Sequence, residues 1–121
     1  MYKILIVEDE NLISLMIEQT LKENGFEVVD VLIHGQDVID YDMSDVDLIT
    51  MDIQLNNDIN GVEAAIEVRK KFDNVSVLFC TANQNTYLNI FKKLKYFDAI
   101  TKPFNGKDIL EKIKQMLKDK E

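Results

Sequence analysis

Among its 121 residues the chain has one cysteine, one proline, one histidine and no tryptophan. Cys80 alone cannot close an internal disulfide or build a Cys-rich zinc site. His34 alone makes no His-based catalytic or metal cluster. No apolar run approaches the ~18–20 residues of a membrane span. The opening Met1-Tyr2-Lys3-Ile4 enters a strand-like pattern at once and lacks a signal-peptide layout. These shortages predict a cytoplasmic protein with no membrane partner. Basic residues are also scarce in the first half, where Lys3 and Lys22 face fourteen acids, a net of −12. Residues 61–121 carry twelve basic groups against eight acids, a net of +4, and the whole chain stands at −8. Such a chain repels phosphate backbones, so direct nucleic-acid binding is not expected. Any ligand of the first half must be held through carboxylates.

What is present is a 46% apolar share, enough for a core, in a length typical of one domain, residues 1–121. Five short apolar runs stand out: Lys3–Glu8, Phe26–Ile33, Val46–Met51, Val75–Cys80 and Phe97–Thr101. They are rich in β-branched residues, and the first and fourth are nearly continuous, as in strands buried on both faces of a parallel sheet. Helix-like segments alternate with them. Over Asn11–Asn24 the spacing puts Leu12, Leu15, Met16 and Gln19 on one face, broadened by Ile13, Ile17 and Leu21, with Gly25 at the C′ position. Gly35–Tyr41 is a short, weak helix. Gly61–Phe72 places Val62, Ala65, Ile66 and Arg69 together, and Asn83–Leu94 carries Leu88, Ile90, Phe91 and Leu94. Asn105 caps a last helix with Ile109, Leu110, Ile113, Met116 and Leu117 on its apolar side. Five strand–helix alternations predict a doubly wound (βα)5 α/β fold, a flavodoxin-like three-layer sandwich with parallel strand order 2-1-3-4-5. Ligands of such folds sit beyond the carboxyl ends of strands 1 and 3, where the chain reverses direction.

Strand 1 ends in Glu8-Asp9-Glu10 and strand 3 in Asp52, so Asp9 and Asp52 are expected to face each other there. Paired carboxylates 4 Å apart repel by ~4 kcal/mol at an effective dielectric of 20. A proton, a lysine or a hard cation must offset that, and oxygen-only ligands favour Mg²⁺. An isolated Glu-Asp-Glu reads as a solvated loop end, but its place at the switch point favours a site. Strand 4 ends in Cys80-Thr81-Ala82 and strand 5 in Thr101-Lys102-Pro103-Phe104, on the same rim. Thr81 brings a hydroxyl and Lys102 a compact point charge. A nucleophilic carboxylate, a cation, a lysine and a hydroxyl are the parts that stabilise a phosphoryl group in transfer.

Ile6-Val7-Glu8-Asp9-Glu10, Met51-Asp52-Ile53-Gln54-Leu55, Thr81-Ala82 and Thr101-Lys102-Pro103-Phe104 together resemble the receiver domain of two-component response regulators, the CheY-like family, across residues 3 to about 118. The resemblance implies that Asp52 is the phospho-acceptor. It implies a Mg²⁺ (or Mn²⁺) ion held by Asp9, Glu8, Asp52 and the Gln54 backbone carbonyl. Lys102, Thr81 and Ala82 would contact the phosphoryl group, with Thr81 reporting the switch. The implied donor is a sensor histidine kinase or phosphotransfer protein. Phosphorylation would shift the surface of helix 4, strand 5 and helix 5 toward a downstream partner or an output domain. The chain would catalyse only its own phosphorylation and slow dephosphorylation, as a monomer or weak dimer.

Three features depart from that family. The position three before the lysine, usually aromatic, is Ala99. The Gly-Ala that often precedes strand 5 is replaced by Lys95-Tyr96. The loop after Asp52, Leu55 to Gly61, lacks proline and is about one residue longer. Three other readings are weaker, among them an interaction scaffold that no longer accepts phosphate, against which the intact Asp9, Asp52, Thr81 and Lys102 argue. An aspartyl-phosphate hydrolase of the haloacid-dehalogenase type has a second Asp where this chain has Gln54. A flavodoxin-like flavin site needs a phosphate loop after strand 1 that is absent. Cys80 reads as a small buried hydrophobe, His34 as a loop residue, and Asp37, Asp40, Asp42, Asp45 and Asp47 as surface.

Overall fold

A computed structural model describes residues 1–55, 59–82 and 94–120. Five parallel strands, β1 (Lys3–Val7), β2 (Glu27–Leu32), β3 (Leu48–Asp52), β4 (Ser76–Thr81) and β5 (Phe97–Thr101), form one sheet of order β2-β1-β3-β4-β5. The expected order is therefore found, and each expected strand lies within a residue or two of its place. The helices are α1 (Asn11–Glu23), α2 (Gly35–Asp40), α3 (Gly61–Lys71) and a C-terminal helix, Gly106–Asp119. The helix expected over Asn83–Leu94 falls on residues 83–93, outside the described residues. No helix of the described residues is long and apolar enough to cross a membrane.

Strand side chains alternate between faces, and both faces are covered. Leu5, Val7, Ile49, Met51, Val77 and Phe79 pack toward α2 and α3 with Val38, Val62, Ala65 and Val68. Ile4, Ile6, Leu48, Leu78 and Cys80 pack toward α1 and the C-terminal helix with Ile17, Leu21, Ile109 and Ile113. Two helix starts are fixed by asparagine caps. Asn60 accepts from the Glu63 N–H at 2.9 Å. Asn105 accepts from the Asp108 N–H at 2.8 Å, while Asp108 accepts the Asn105 N–H in return, a capping box. Gly25 ends α1 at φ +84°, and the Phe26 N–H closes the turn on the Leu21 carbonyl at 3.0 Å.

The buried face of α1 differs from expectation. Leu12 and Leu15 are 83% and 58% exposed, while Ser14, Ile17 and Leu21 are buried. The helix carries more apolar residues than one face holds, so helical spacing alone leaves the inward direction open. In α3 the buried set includes Ala64 and Val68, and Arg69 is half-buried. Asp47 is also no mere surface acid, because its Oδ2 accepts the Lys3 N–H at 2.8 Å and ties the start of β1 to the turn before β3.

Two buried hydroxyls, Thr50 Oγ1 and Ser76 Oγ, lie outside the site without a hydrogen-bond partner. A hydroxyl left unpaired in a core carries a desolvation cost. Thr50→Val should therefore hold stability or raise it by up to about 1 kcal/mol in urea unfolding, and a clear loss would show that the hydroxyl is bonded.

Candidate functional site

The carboxyl ends of β1 and β3 are neighbours, as the strand order requires. There Glu8, Asp9 and Asp52 each bring a carboxylate oxygen within 4.8 Å of the others. Glu8 and Asp52 are 2% and 4% exposed, and Asp9 is half-buried. Lys102 reaches in from the end of β5, with Nζ 3.3 Å from Glu8 Oε1 and 3.5 Å from Asp52 Oδ1. Asp52 Oδ1 also accepts the Gln54 N–H at 3.1 Å. Glu8 Oε2 accepts the Glu10 N–H at 3.2 Å, whereas Oε1 has no hydrogen-bond partner beyond its ion pair.

The backbone around this pocket explains its shape. The Lys102 N–H donates to the Thr81 carbonyl at 2.8 Å, which joins the ends of β4 and β5. Thr81 itself is buried and pairs in register with Thr101, and Ala82 is exposed beside it. The Lys102–Pro103 peptide is cis. Gly61, the first residue of α3, lies against the Asp52 carbonyl, and a Cβ there would also stand 2.8 Å from Met51 Cγ and 2.9 Å from Ile53 Cα. Only glycine allows α3 to begin so close to β3. Sequence reasoning placed Gly61 at a helix edge and missed this close approach, since its signal is spatial. Cys80 sits opposite Asp52 in the β3–β4 register, fully buried, and burial pushes its thiol well up. It is a core residue, as expected. Ala99 is buried on the same face as Phe79, so no aromatic stands at that position. Asn56, Asn57, Asp58 and Asn83 lie outside the described residues.

The electrostatics follow from crowding. Glu8 is pushed up to about 7, first by burial and then by the Asp52 charge. Asp52 is raised as well, mainly by burial, although Glu8, Lys102 and the Gln54 N–H hold it down. For Lys102, burial disfavours the charge but the Asp52 and Glu8 carboxylates outweigh it, and the ammonium is raised. Three acids and one lysine leave the pocket short of positive charge. An all-oxygen donor set, with Glu8 Oε1 held only by its ion pair to Lys102, fits a hard divalent cation such as Mg²⁺ or Mn²⁺.

A raised acid costs stability once it must ionise. The folded state holds the Glu8 proton up to about pH 7, while the unfolded chain releases it near 4.5. Metal-free protein should therefore lose stability as pH rises through that window and level off above it. Between pH 5.5 and 8 the loss should be up to about 2 kcal/mol, and Mg²⁺ should recover it at pH 8. Urea unfolding in chelator at both pH values checks this, and equal stability at the two would contradict it.

A doubly wound flavodoxin-like domain with an acidic, lysine-bearing pocket at its switch point belongs to the receiver class of folds. The chain matches the response regulator receiver domain over residues 4–114 and belongs to that family, whose members are signalling proteins. It is 31% identical over 121 residues to the chemotaxis protein CheY of Listeria monocytogenes, covering 98% of this chain and 100% of that one. It is 35% identical over 121 residues to the response regulator ArlR of Staphylococcus saprophyticus, covering 98% of this chain but 53% of ArlR. Among solved structures, the response regulator protein TrrA from Thermotoga maritima, in complex with Mg(2+)-BeF, aligns with a TM-score of 0.81. That match is 29% identical over 96% of this chain and 99% of that one.

Proposed function

We propose that residues 1–121 form one receiver unit in which Asp52 accepts a phosphoryl group from a phosphohistidine on a sensor histidine kinase or phosphotransfer protein. The observation that carries this reading is the placement of Lys102 Nζ between Glu8 and Asp52, with three carboxylates converging at the switch point. A divalent cation held by Glu8, Asp9, Asp52 and the Gln54 carbonyl would supply positive charge beside the incoming phosphoryl oxygens. The likeness to TrrA, which is in complex with Mg(2+)-BeF, supports that assignment.

The residues of this chain then have separate tasks. The Gln54 N–H holds Asp52 Oδ1, which aims the carboxylate. A carboxylate oxygen of Asp52 attacks phosphorus, a new O–P bond forms as the P–N bond to the donor imidazole breaks, and the imidazole keeps the electron pair. Lys102 exchanges its carboxylate partners for the phosphoryl oxygens, where a point charge offsets the added ≈ −1.5 to −2 typical of a phosphate. Thr81, with Ala82 beside it, hydrogen-bonds the same group. The added charge biases the surface of β5, the C-terminal helix and the segment between β4 and β5 toward a downstream partner or output domain.

Phosphoryl uptake should require the cation. Incubation with a small-molecule phosphodonor and Mg²⁺ is expected to add one phosphoryl group by intact mass, and the same incubation in chelator none. No gain with any donor, or equal gain in chelator, would refute the proposal.

A further inference from the structure

β5 begins at a strained turn. Tyr96 has φ +64°, the one non-glycine residue of positive φ among the described residues. A side chain with a Cβ is disfavoured in this region, which glycine adopts freely. Something must hold Tyr96 there. The half-buried guanidinium of Arg69, on the last turn of α3, bridges the turn before β5 and the entry to β4. One terminal nitrogen donates to the Lys95 carbonyl and the other to the Val75 carbonyl, each at 2.6 Å. Its Cζ lies over the Phe97 ring, 4.4 Å from the centroid. Phe97 in turn packs edge-on against Phe79, with centroids 5.3 Å apart at 83°. Lys120 adds a second hold, with its ammonium 5.1 Å over the Tyr96 ring and bonded to the Asn74 carbonyl.

These contacts reach the pocket through one strand. The Tyr96 carbonyl accepts the Val77 N–H at 2.8 Å, which starts the β4–β5 register that ends at Thr81 and Thr101. The next residue is Lys102. We propose that Arg69 is the positioning residue of β5: it holds the Lys95–Tyr96 turn in a conformation that glycine would adopt unaided, and so sets the strand that delivers Lys102 to Glu8 and Asp52. A planar fork with two directed donors and a stacking face is what the geometry uses, so lysine cannot replace it. The effect on β5 is independent of whether Asp52 is phosphorylated, so its test stands apart from that of the proposed function.

The experiment compares wild type with Arg69→Met, Arg69→Lys, Tyr96→Gly and the Arg69→Met/Tyr96→Gly double variant, by thermal melting and residue-resolved amide exchange. Both single Arg69 variants are expected to melt about 5–10 °C lower. The Val77 and Lys102 amides should exchange about tenfold faster relative to the amides of β1. In the Tyr96→Gly background, Arg69→Met should lose most of that effect on β5. The proposal is overturned by equal cost in both backgrounds, by acceleration uniform across β1 and β5, or by full rescue with Arg69→Lys. If Arg69→Met does not fold, the double variant decides: a folded double variant supports the proposal and an unfolded one overturns it.

Discussion

Asp52→Asn should give a folded domain that takes up no phosphoryl group and that, without divalent cation at pH 8, is more stable than wild type by about 1–2 kcal/mol. In the wild-type pocket Glu8 and Asp52 are both buried, Asp9 stands close by, and Lys102 is their shared counter-charge. Asparagine keeps the shape of the side chain but removes one buried charge and its repulsion of Glu8. Lys102 and Glu8 are then left as a balanced pair. With the Asp52 charge gone, Glu8 also loses its second-largest cause of elevation. The fall of stability between pH 5.5 and 8 should therefore shrink together with the gain. Urea unfolding of both proteins in chelator measures this. A variant less stable than wild type at pH 8 would mean that the Asp52–Lys102 attraction outweighs the repulsion.

The second large effect belongs to a residue with no functional atom. Gly61→Ala should cost about 2–4 kcal/mol and lower the rate of phosphoryl uptake at least about tenfold. The added methyl overlaps the Asp52 carbonyl and closes on Ile53 Cα at 2.9 Å. Both are backbone atoms of β3 and its exit, and neither can rotate away. Relief requires α3 to back off, which breaks the 2.8 Å bond from the Gly61 N–H to the Ile53 carbonyl and disturbs the Asn60 cap. Denaturant unfolding and the uptake rate report the two consequences. An alanine variant with wild-type stability and rate would contradict the close packing of α3 on β3.

Much of the fold was legible because a parallel sheet buries its strands on both faces. KILIV and SVLFC have almost no polar interruption, and their short length, β-branched content and polar flanks favour a buried strand over a helix. The meeting of Asp9 and Asp52, with Lys102 on the same rim, followed from strand order, whereas the burial of Glu8 and its pairing with Lys102 did not. Other features were hidden for physical reasons. Helical spacing fits more than one face of α1, and the choice of Ile17 and Leu21 over Leu12 and Leu15 depends on the sheet beneath. The replacement of Gly-Ala by Lys95-Tyr96 was visible in the sequence as a departure from the family. What compensates it was not, because Arg69 lies 26 positions earlier than Lys95 and makes its bonds to backbone carbonyls, which leave no trace in residue identity. The tie from Asp47 to the Lys3 N–H was hidden in the same way.

The measurement that reaches the central claim most directly is the location of the phosphoryl group. Protein incubated with phosphodonor and Mg²⁺, then digested and mapped by mass spectrometry, should carry a single phosphoryl group on the peptide containing Asp52, and the Asp52→Asn protein should carry none. A phosphoryl group on any other residue of the wild type, or undiminished uptake by Asp52→Asn, would contradict it.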